Sequence, residues 1–438
     1  FEDLGEQAVK NIDRPVRVWR WLAGVGAAPA RPPGATEPLP LPDKPSIAVL
    51  PFDNLSGDPD QEYFSDGVSE DLTTALSRFD SLFVIARNSA FAYKGEVVDV
   101  KRVGRELGVR YILEGSVRRA GKRVRVNAQL IDAHADRHVW AERFDRQMED
   151  VFELQDDIVA SIAATVGPEI TLAEIERARN KRPDALDTWD LYLRAISAYH
   201  AMTEDTVAEA VSLLQKAIEA EPDFANAYAL LGLCHVHVAM HGWVKPVSQA
   251  FREARRLTEE AVRLSPPSPE TNHSLAFVLT VTGEPERGIT AARRAIDLNP
   301  NYAEAYAILA LALVFYGDLE ACLAACQQSA RSNPRDARGN HLHNAMGHAY
   351  FMLEDYEQAI EVSKKGYHQD PSVYGQTVTL AASYACLGNK AEAKHYIDEL
   401  LLFIPRMNLR ALRKNPMFIR PEHVDKLVEG MRLAGLPE

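Results

Sequence analysis

Histidines pose the first chemical question. His237 and His241 stand four apart with His235 beside them, and His341, His343 and His348 form a second group. On a helix an i, i+4 pair can hold zinc. No glutamate follows the first histidine as in H-E-x-x-H and spacing fixes no third ligand, so neither group reads as a metal centre. Asp58, Asp60 and Glu62 alternate as Ca²⁺ ligands can, but they lack the glycine and distant glutamate of an EF-hand loop. They read as a solvated loop that caps the next helix. His134 and His138, near Asp132 and Asp136, lie at a strand connection and read as turn chemistry. Arg118, Arg119, Lys122, Arg123 and Arg125 place five cations in eight residues, a pattern able to hold phosphate. Strand alternation sends some of them to opposite faces, which favours a solvated hairpin. Gly24-Val25-Gly26 opens a dinucleotide fingerprint, but no strand precedes it and no helix follows. Cys322 and Cys326 fall where helices pack closely and read as core. Over residues 47–167 no nucleophile, base and orienter stand at recognisable spacing. The expectation is a chain with no catalytic residue, no metal and no cofactor.

Bulk properties narrow the class. A chain of 438 residues is too long for one core, and its 46% hydrophobic and 25% charged content is ordinary for a globular protein. The net charge of −13 opposes a nucleic-acid partner, because phosphate binding needs a positive surface. No apolar run approaches the roughly 20 residues that span a bilayer, so no membrane span is expected. The first residue is Phe1, with no basic-then-apolar leader, and the chain reads as a piece of a longer protein. Cys234, Cys322, Cys326 and Cys386 all fall in predicted helices, which suits a reducing cytosol and a cytoplasmic location better than a disulfide framework.

The elements that position these residues follow a repeat. Asn301 to Pro334 reads as two amphipathic helices, broken at Tyr316-Gly317-Asp318 and stopped by Asn333-Pro334. Prolines close such hairpins at Pro266, Pro300 and Pro334, each 34 residues after the last, and again 34 apart at Pro371 and Pro405. Six units follow, at 184–222, 223–266, 267–300, 301–334, 335–371 and 372–405, preceded by a helical connector at 168–183. The second unit is stretched by Met240 to Ser248, a longer loop containing Gly242-Trp243. One such hairpin cannot bury enough surface alone, so neighbours must stack. Residues 406–438, with Leu412, Met417, Phe418, Leu427 and Met431, read as the helices that cap the stack.

Upstream, Ile47 to Phe52 suits a buried strand, and Phe64, Val68, Leu72, Leu76 and Phe79 share one helical face. Further strands are expected over 82–87, 111–117, 124–131 and 138–144, with Ala120-Gly121 turning one hairpin. A short helix is expected over 99–107, and a last helix from Asp150 to about Val166, ended by Gly167-Pro168. The order β-α-β-α-β-β-β-α predicts a small α/β sandwich over 47–167. Residues 22–46, with seven prolines, read as an extended linker. Val16 to Arg20 alternates like a strand.

Three resemblances attach to these stretches. Tyr306, Leu309, Ala310, Leu313, Cys322, Cys326 and Ser329 fall on the W-x2-L-G-x2-Y…A-x3-F-x2-A pattern, so 184–405 resembles a tetratricopeptide (TPR) array, which implies a right-handed α-solenoid. Family geometry would place Trp189, Tyr192, Tyr199, His200, His237, His273, Phe277, Phe315, His348 and Phe351 along a concave groove that binds a protein or peptide. Ala48-Val-Leu-Pro-Phe52, Phe64-Ser-Asp-Gly67 and Gly108-Val-Arg-Tyr-Ile-Leu-Glu-Gly-Ser116 resemble the TolB amino-terminal-like domain, a binding or assembly module. Residues 1–21, through Phe1, Leu4, Gly5, Glu6, Lys10, Pro15, Val16 and Val18, resemble the end of a class III nucleotide cyclase catalytic domain, and 420–438 resembles the tail of repeat-bearing cyclases. The metal aspartates of such cyclases would lie upstream, outside this chain. The fold expected is therefore α/β plus all-α. The function expected is a non-catalytic regulatory and protein-binding region of an adenylate cyclase, whose partners are a groove ligand, its own upstream catalytic domain and, as an open possibility, a second copy. The alternative is a stand-alone TPR adaptor or the tail of a winged-helix transcription regulator.

Overall fold

A computed structural model describes residues 2–7, 16–20 and 41–438, apart from 43, 57, 59–61, 97–98, 121–122, 148–150, 182–185, 266, 333–339, 370, 372 and 415–416. Gly24 to Gly26, most of the linker, Asp60, Gly121, Asp150 and the Asn333-Pro334 stop lie outside the described residues. The chain divides into two compact units, 1–39 and 40–438. In the first, β1 (Glu2–Gln7) pairs antiparallel with β2 (Val16–Arg20), with a register shift between Asp3 and Glu6.

The second unit opens with β3 (Ser46–Val49), β4 (Asp53–Asn54), α1 (Glu62–Leu76), β5 (Phe83–Val84), α2 (Arg87–Phe91), α3 (Val100–Leu107), β6 (Tyr111–Ala120), β7 (Arg123–Asp132), β8 (Arg137–Gln147) and α4 (Val151–Asn180). The sheet order is β5-β3-β6-β7-β8, with β4 also on β6. β3 runs parallel to β5 and β6, while β6, β7 and β8 are antiparallel. Alternation decides the faces. Val124, Val126, Ala128 and Leu130 of β7 pack with Val68 and Leu72 of α1 and Ile158 and Ile162 of α4. Ala48, Leu50 and Ile112 turn the other way, onto Ala90 of α2 and Val103 of α3. At Gly115 of β6 an added Cβ would collide with the Asn127 carbonyl of the neighbouring β7 and with the Phe52 ring. The strand expected over 82–87 shrinks to two residues because Ala86 already takes the extended N-cap conformation of α2.

Two expectations fail at α4. It does not stop at Gly167-Pro168, and 168–183 is not a separate connector, because one helix runs from Val151 to Asn180. Proline removes one backbone hydrogen bond and costs about 3 kcal/mol inside a helix. Burial on both sides offsets this. Val166 and Ile170 join the sheet core, and Ala178 and Ile175 pack with Trp189 and Leu193, each large side chain contributing about 1.5–3 kcal/mol. Glu153–Asn180 is also long and apolar enough to cross a bilayer, contrary to the sequence reading, but 61% of its apolar window is buried inside the fold. That apolarity serves two cores at once.

Helix pairs follow: α5 (Thr188–His200) with α6 (Glu204–Ala220), α7 (Ala225–Met240) with α8 (Val247–Leu264), α9 (Pro269–Val281) with α10 (Pro285–Leu298), α11 (Ala303–Tyr316) with α12 (Leu319–Ser332), α13 (Asn340–Met352) with α14 (Tyr356–Gln369), and α15 (Tyr374–Cys386) with α16 (Lys390–Phe403). Asp187 and Thr203 start α5 and α6 with capping boxes. Gly317, at φ +96°, closes α11 in a left-handed turn that suits glycine. Cys322 and Cys326 are buried in the shared core, and all four cysteines are free thiols. An α/β part followed by helical repeats is thus the architecture. Two further helices, α17 (Leu409–Arg413) and α18 (Pro421–Ala434), end the chain.

Candidate functional site

The first helices of successive pairs, α5, α7, α9, α11, α13 and α15, carry the residues expected to line a groove. They do not present one continuous open surface. Trp189 and Tyr192 form an aromatic knot with Phe224, at ring distances of 5.3–5.9 Å, and Trp189 packs on the end of α4. Phe277 meets His341 at 4.8 Å, and His273 lies 5.4 Å from Tyr302. Burial pushes the His273 imidazolium down to about 3. Phe315 and His348 are covered by Phe418, at 4.8 and 5.8 Å, and Phe351 is fully buried. Tyr199, His200 and His237 instead form a ring train at the other end, with steps of 5.8 and 5.9 Å, and His200 is exposed.

The covering element is the chain's own C-terminal segment. Ile419 N donates to Phe315 O at 3.1 Å, and Arg420 Nε to Tyr316 O at 3.3 Å. Lys426 Nζ donates to Met352 O at 2.8 Å and to Glu354 Oε1 at 2.9 Å. Two cations therefore sit at the carbonyl ends of α11 and α13, where the helix dipole favours positive charge. An added Cβ at Gly430 would stand 2.9 Å from Ala382 and 3.0 Å from Phe351, so α18 lies tight against the inner helices. Hydrophobicity flags residues 406–438 as apolar enough to cap a stack. Nothing in their pattern says that they fold back across its inner face.

Beneath this segment lies a cavity of about 100 Å³. Its walls include Tyr199, His237 and His241, Phe277, Phe315, His341, Asn344 and His348, Tyr374 and Gly375, and Phe418. Among the described residues no lysine, arginine, aspartate or glutamate lines it. His348 Nδ1 pairs with Thr379 Oγ1 at 3.0 Å, and burial lowers its pKa to about 4, so the ring is neutral at neutral pH. The His237 and His241 rings lie tilted at 4.1 Å, and Trp243 of the stretched loop stacks on His241 at 4.7 Å. His241 Nδ1 is 3.0 Å from the His237 carbonyl, which occupies one ring nitrogen. Among the described residues no group of three or more histidine, cysteine or acidic side chains could hold a metal ion.

Other sequence candidates are engaged locally. Arg125 pairs with Asp145 at 2.6 Å and Arg143 with the same carboxylate at 3.0 Å; these hydrogen bonds, Arg125 first, hold Asp145 below the usual carboxylate range. Lys94, just after α2, bridges Glu62 at 2.9 Å and Asp66 at 2.6 Å, both in α1. Asp132 Oδ1 accepts from His134 N and Ala135 N at 2.9 Å, which is turn chemistry.

Comparison with known proteins adds three findings. Residues 43–161 match the family model described as the HilA/YgeH-like transcriptional regulator, second domain. Over 282 residues the chain is 43% identical to "Putative adenylate cyclase 3" of Rhizobium meliloti (strain 1021), covering 64% of this chain and 48% of that protein. The chain thus spans about half the length of that relative. Among solved structures, YrrB, a TPR protein with an unusual peptide-binding site, aligns at 22% identity over 43% of this chain and 90% of that one, with a TM-score of 0.28. A thermophilic TPR protein of Thermus thermophilus aligns at 22% identity over 40% and 92%, with a TM-score of 0.33.

Proposed function

We propose that this chain is the non-catalytic, partner-binding regulatory region of a class III nucleotide cyclase, built from a TolB-like α/β domain and a right-handed tetratricopeptide solenoid. The observation that carries this reading is the 43% identity to a protein named as an adenylate cyclase, of which the chain spans 48%. The cyclase-like stretches 1–21 and 420–438 support it from the sequence side. In this reading the catalytic motifs belong to an upstream domain, and α4 couples the array to the α/β domain as one stiff element. A peptide or protein partner docks at the α5–α7 end, where Tyr199 is part-exposed and His200 exposed, while α18 holds the inner face of α11, α13 and α15.

The test is enzymatic and has two arms. The purified chain, given ATP or GTP with Mg²⁺ or Mn²⁺, should form no cyclic nucleotide; turnover by it alone would refute the non-catalytic reading. Fused to its natural upstream region, it should change cyclase output when Tyr199 and His200 are both changed to Ala. Output unchanged by that pair would remove the docking site. A second reading, the tail of a winged-helix regulator, is favoured by the match of 43–161 to a transcription-regulator domain. A basic helix-turn-helix in the natural upstream region would decide for it, and paired metal-binding aspartates would decide against it.

A further inference from the structure

We infer that the cavity between the inner helices and the C-terminal segment is a binding site for one neutral aromatic ring carrying a hydrogen-bond donor. The inference concerns a small molecule rather than a protein partner, and Tyr199 is common to the cavity wall and the proposed α5–α7 docking end. Size sets the first limit. A cavity of about 100 Å³ is of the order that takes a single ring, since an engineered apolar cavity of about 150 Å³ holds benzene. Charge sets the second. With no lysine, arginine, aspartate or glutamate among its described lining residues, the cavity offers a phosphate or carboxylate no fixed counter-charge, and burying an unpaired ion is costly. Nucleotides are therefore the wrong chemistry, whatever catalytic domain this chain accompanies.

The polar atoms set the third limit. Asn344 is 9% exposed, lines the cavity, and its Oδ1 has no hydrogen-bond partner in the protein. The Nε2 of His241, which also lines the cavity, is likewise buried without a partner. A buried carbonyl oxygen left unpaired is destabilising, so a donor reaching it is rewarded. Gly375 makes room for this amide, because a Cβ there would stand 2.5 Å from Asn344 Oδ1. The remaining walls favour an aromatic guest. Phe277, Phe315 and Phe418 come from α9, α11 and the C-terminal segment, and rings prefer such tilted and edge contacts.

Phenol, benzene and benzoate titrated into the full chain by calorimetry and ligand-observed NMR test this directly. Phenol should bind roughly tenfold tighter than benzene, the worth of one buried hydrogen bond, and benzoate should not bind. Val378→Phe, which fills the cavity from α15, should abolish both complexes. Asn344→Leu should keep benzene and remove the advantage of phenol. If Val378→Phe does not fold, Val281→Ile shrinks the same space and should weaken both ligands. No binding of any probe would mean that the cavity holds ordered water only, and would overturn the inference. So would equal affinity for phenol and benzene, or binding that survives the filling variants.

Discussion

Glu270 sits in the first turn of α9, where its Oε2 accepts a hydrogen bond from Ser268 Oγ at 3.0 Å. Burial, with Asp80 nearby, raises its pKa from 4.5 to about 7. The native state therefore holds this proton more tightly than the unfolded chain does. The cost of ionising it is absent below about pH 4.5, grows as pH rises, and is complete above about 7. Glu270→Gln should thus stabilise the chain at pH 8 by on the order of 2–3 kcal/mol and leave it unchanged at pH 4. Urea unfolding at the two pH values measures this; an equal effect at both would contradict it. His348 works in the opposite sense. Its depressed pKa of about 4, caused by burial, means that stability is lost as pH falls from 6.5 towards 4. His348→Gln should flatten that acid limb by up to about 3 kcal/mol, while His273, depressed to about 3, keeps part of the slope.

At the scale of elements, α18 is held by apolar contact and by two helix-end cations rather than by covalent constraint. Leu427, 2% exposed, is buried within it, and Phe418, 9% exposed, is buried just ahead of it. Leu427→Asp would bury an unpaired charge, so undocking is the cheaper response. Hydrogen exchange should then quicken at Ile419 N, whose partner is Phe315 O, and across α18, while β7 stays protected. Quickened exchange in β7 as well would mean global unfolding and would remove the claim that α18 docks as a separable element. Pro168→Ala should raise stability by about 1–3 kcal/mol, because α4 is continuous through that position; no gain would indicate a helix already broken there. These two elements also mark where sequence reading succeeds and fails. The 34-residue proline step and the 3.6-residue periodicity are local, so the helices and their pairing could be read from the chain. Whether Gly167-Pro168 ends a helix depends on what its two sides bury, and where α18 lies depends on a contact 104 residues away. Phe315, His348 and Phe351 were identifiable as inward-facing, but not as already covered.

At the scale of the molecule, residues 40–438 hang on one shared helix. Glu174, 1% exposed near the end of α4, accepts from Tyr111 Oη at 2.7 Å and from Arg177 Nε at 2.8 Å, and lies 3.3 Å from Arg110 Nε. Arg177 in turn approaches Asp190 of α5 at 3.8 Å, and Lys181 pairs with the same buried carboxylate. A continuous set of charges thus runs from β6 through α4 into the first helix pair. A second tie lies further along, where Arg331 of α12 meets Asp157 of α4 at 3.0 Å. That pair is exposed and contributes little. The buried set should dominate, because removing its carboxylate leaves the Tyr111 hydroxyl without its partner and leaves Arg110 and Arg177 only Asp132 at 3.3 Å and Asp190 at 3.8 Å. Glu174→Ala should therefore cost about 3–5 kcal/mol. If α4 is one structural element shared by both parts, hydrogen-exchange protection should fall by similar amounts in β6 and β7 and in α5 and α6. A loss confined to either side would mean that the sheet and the array fold independently and that α4 merely links them.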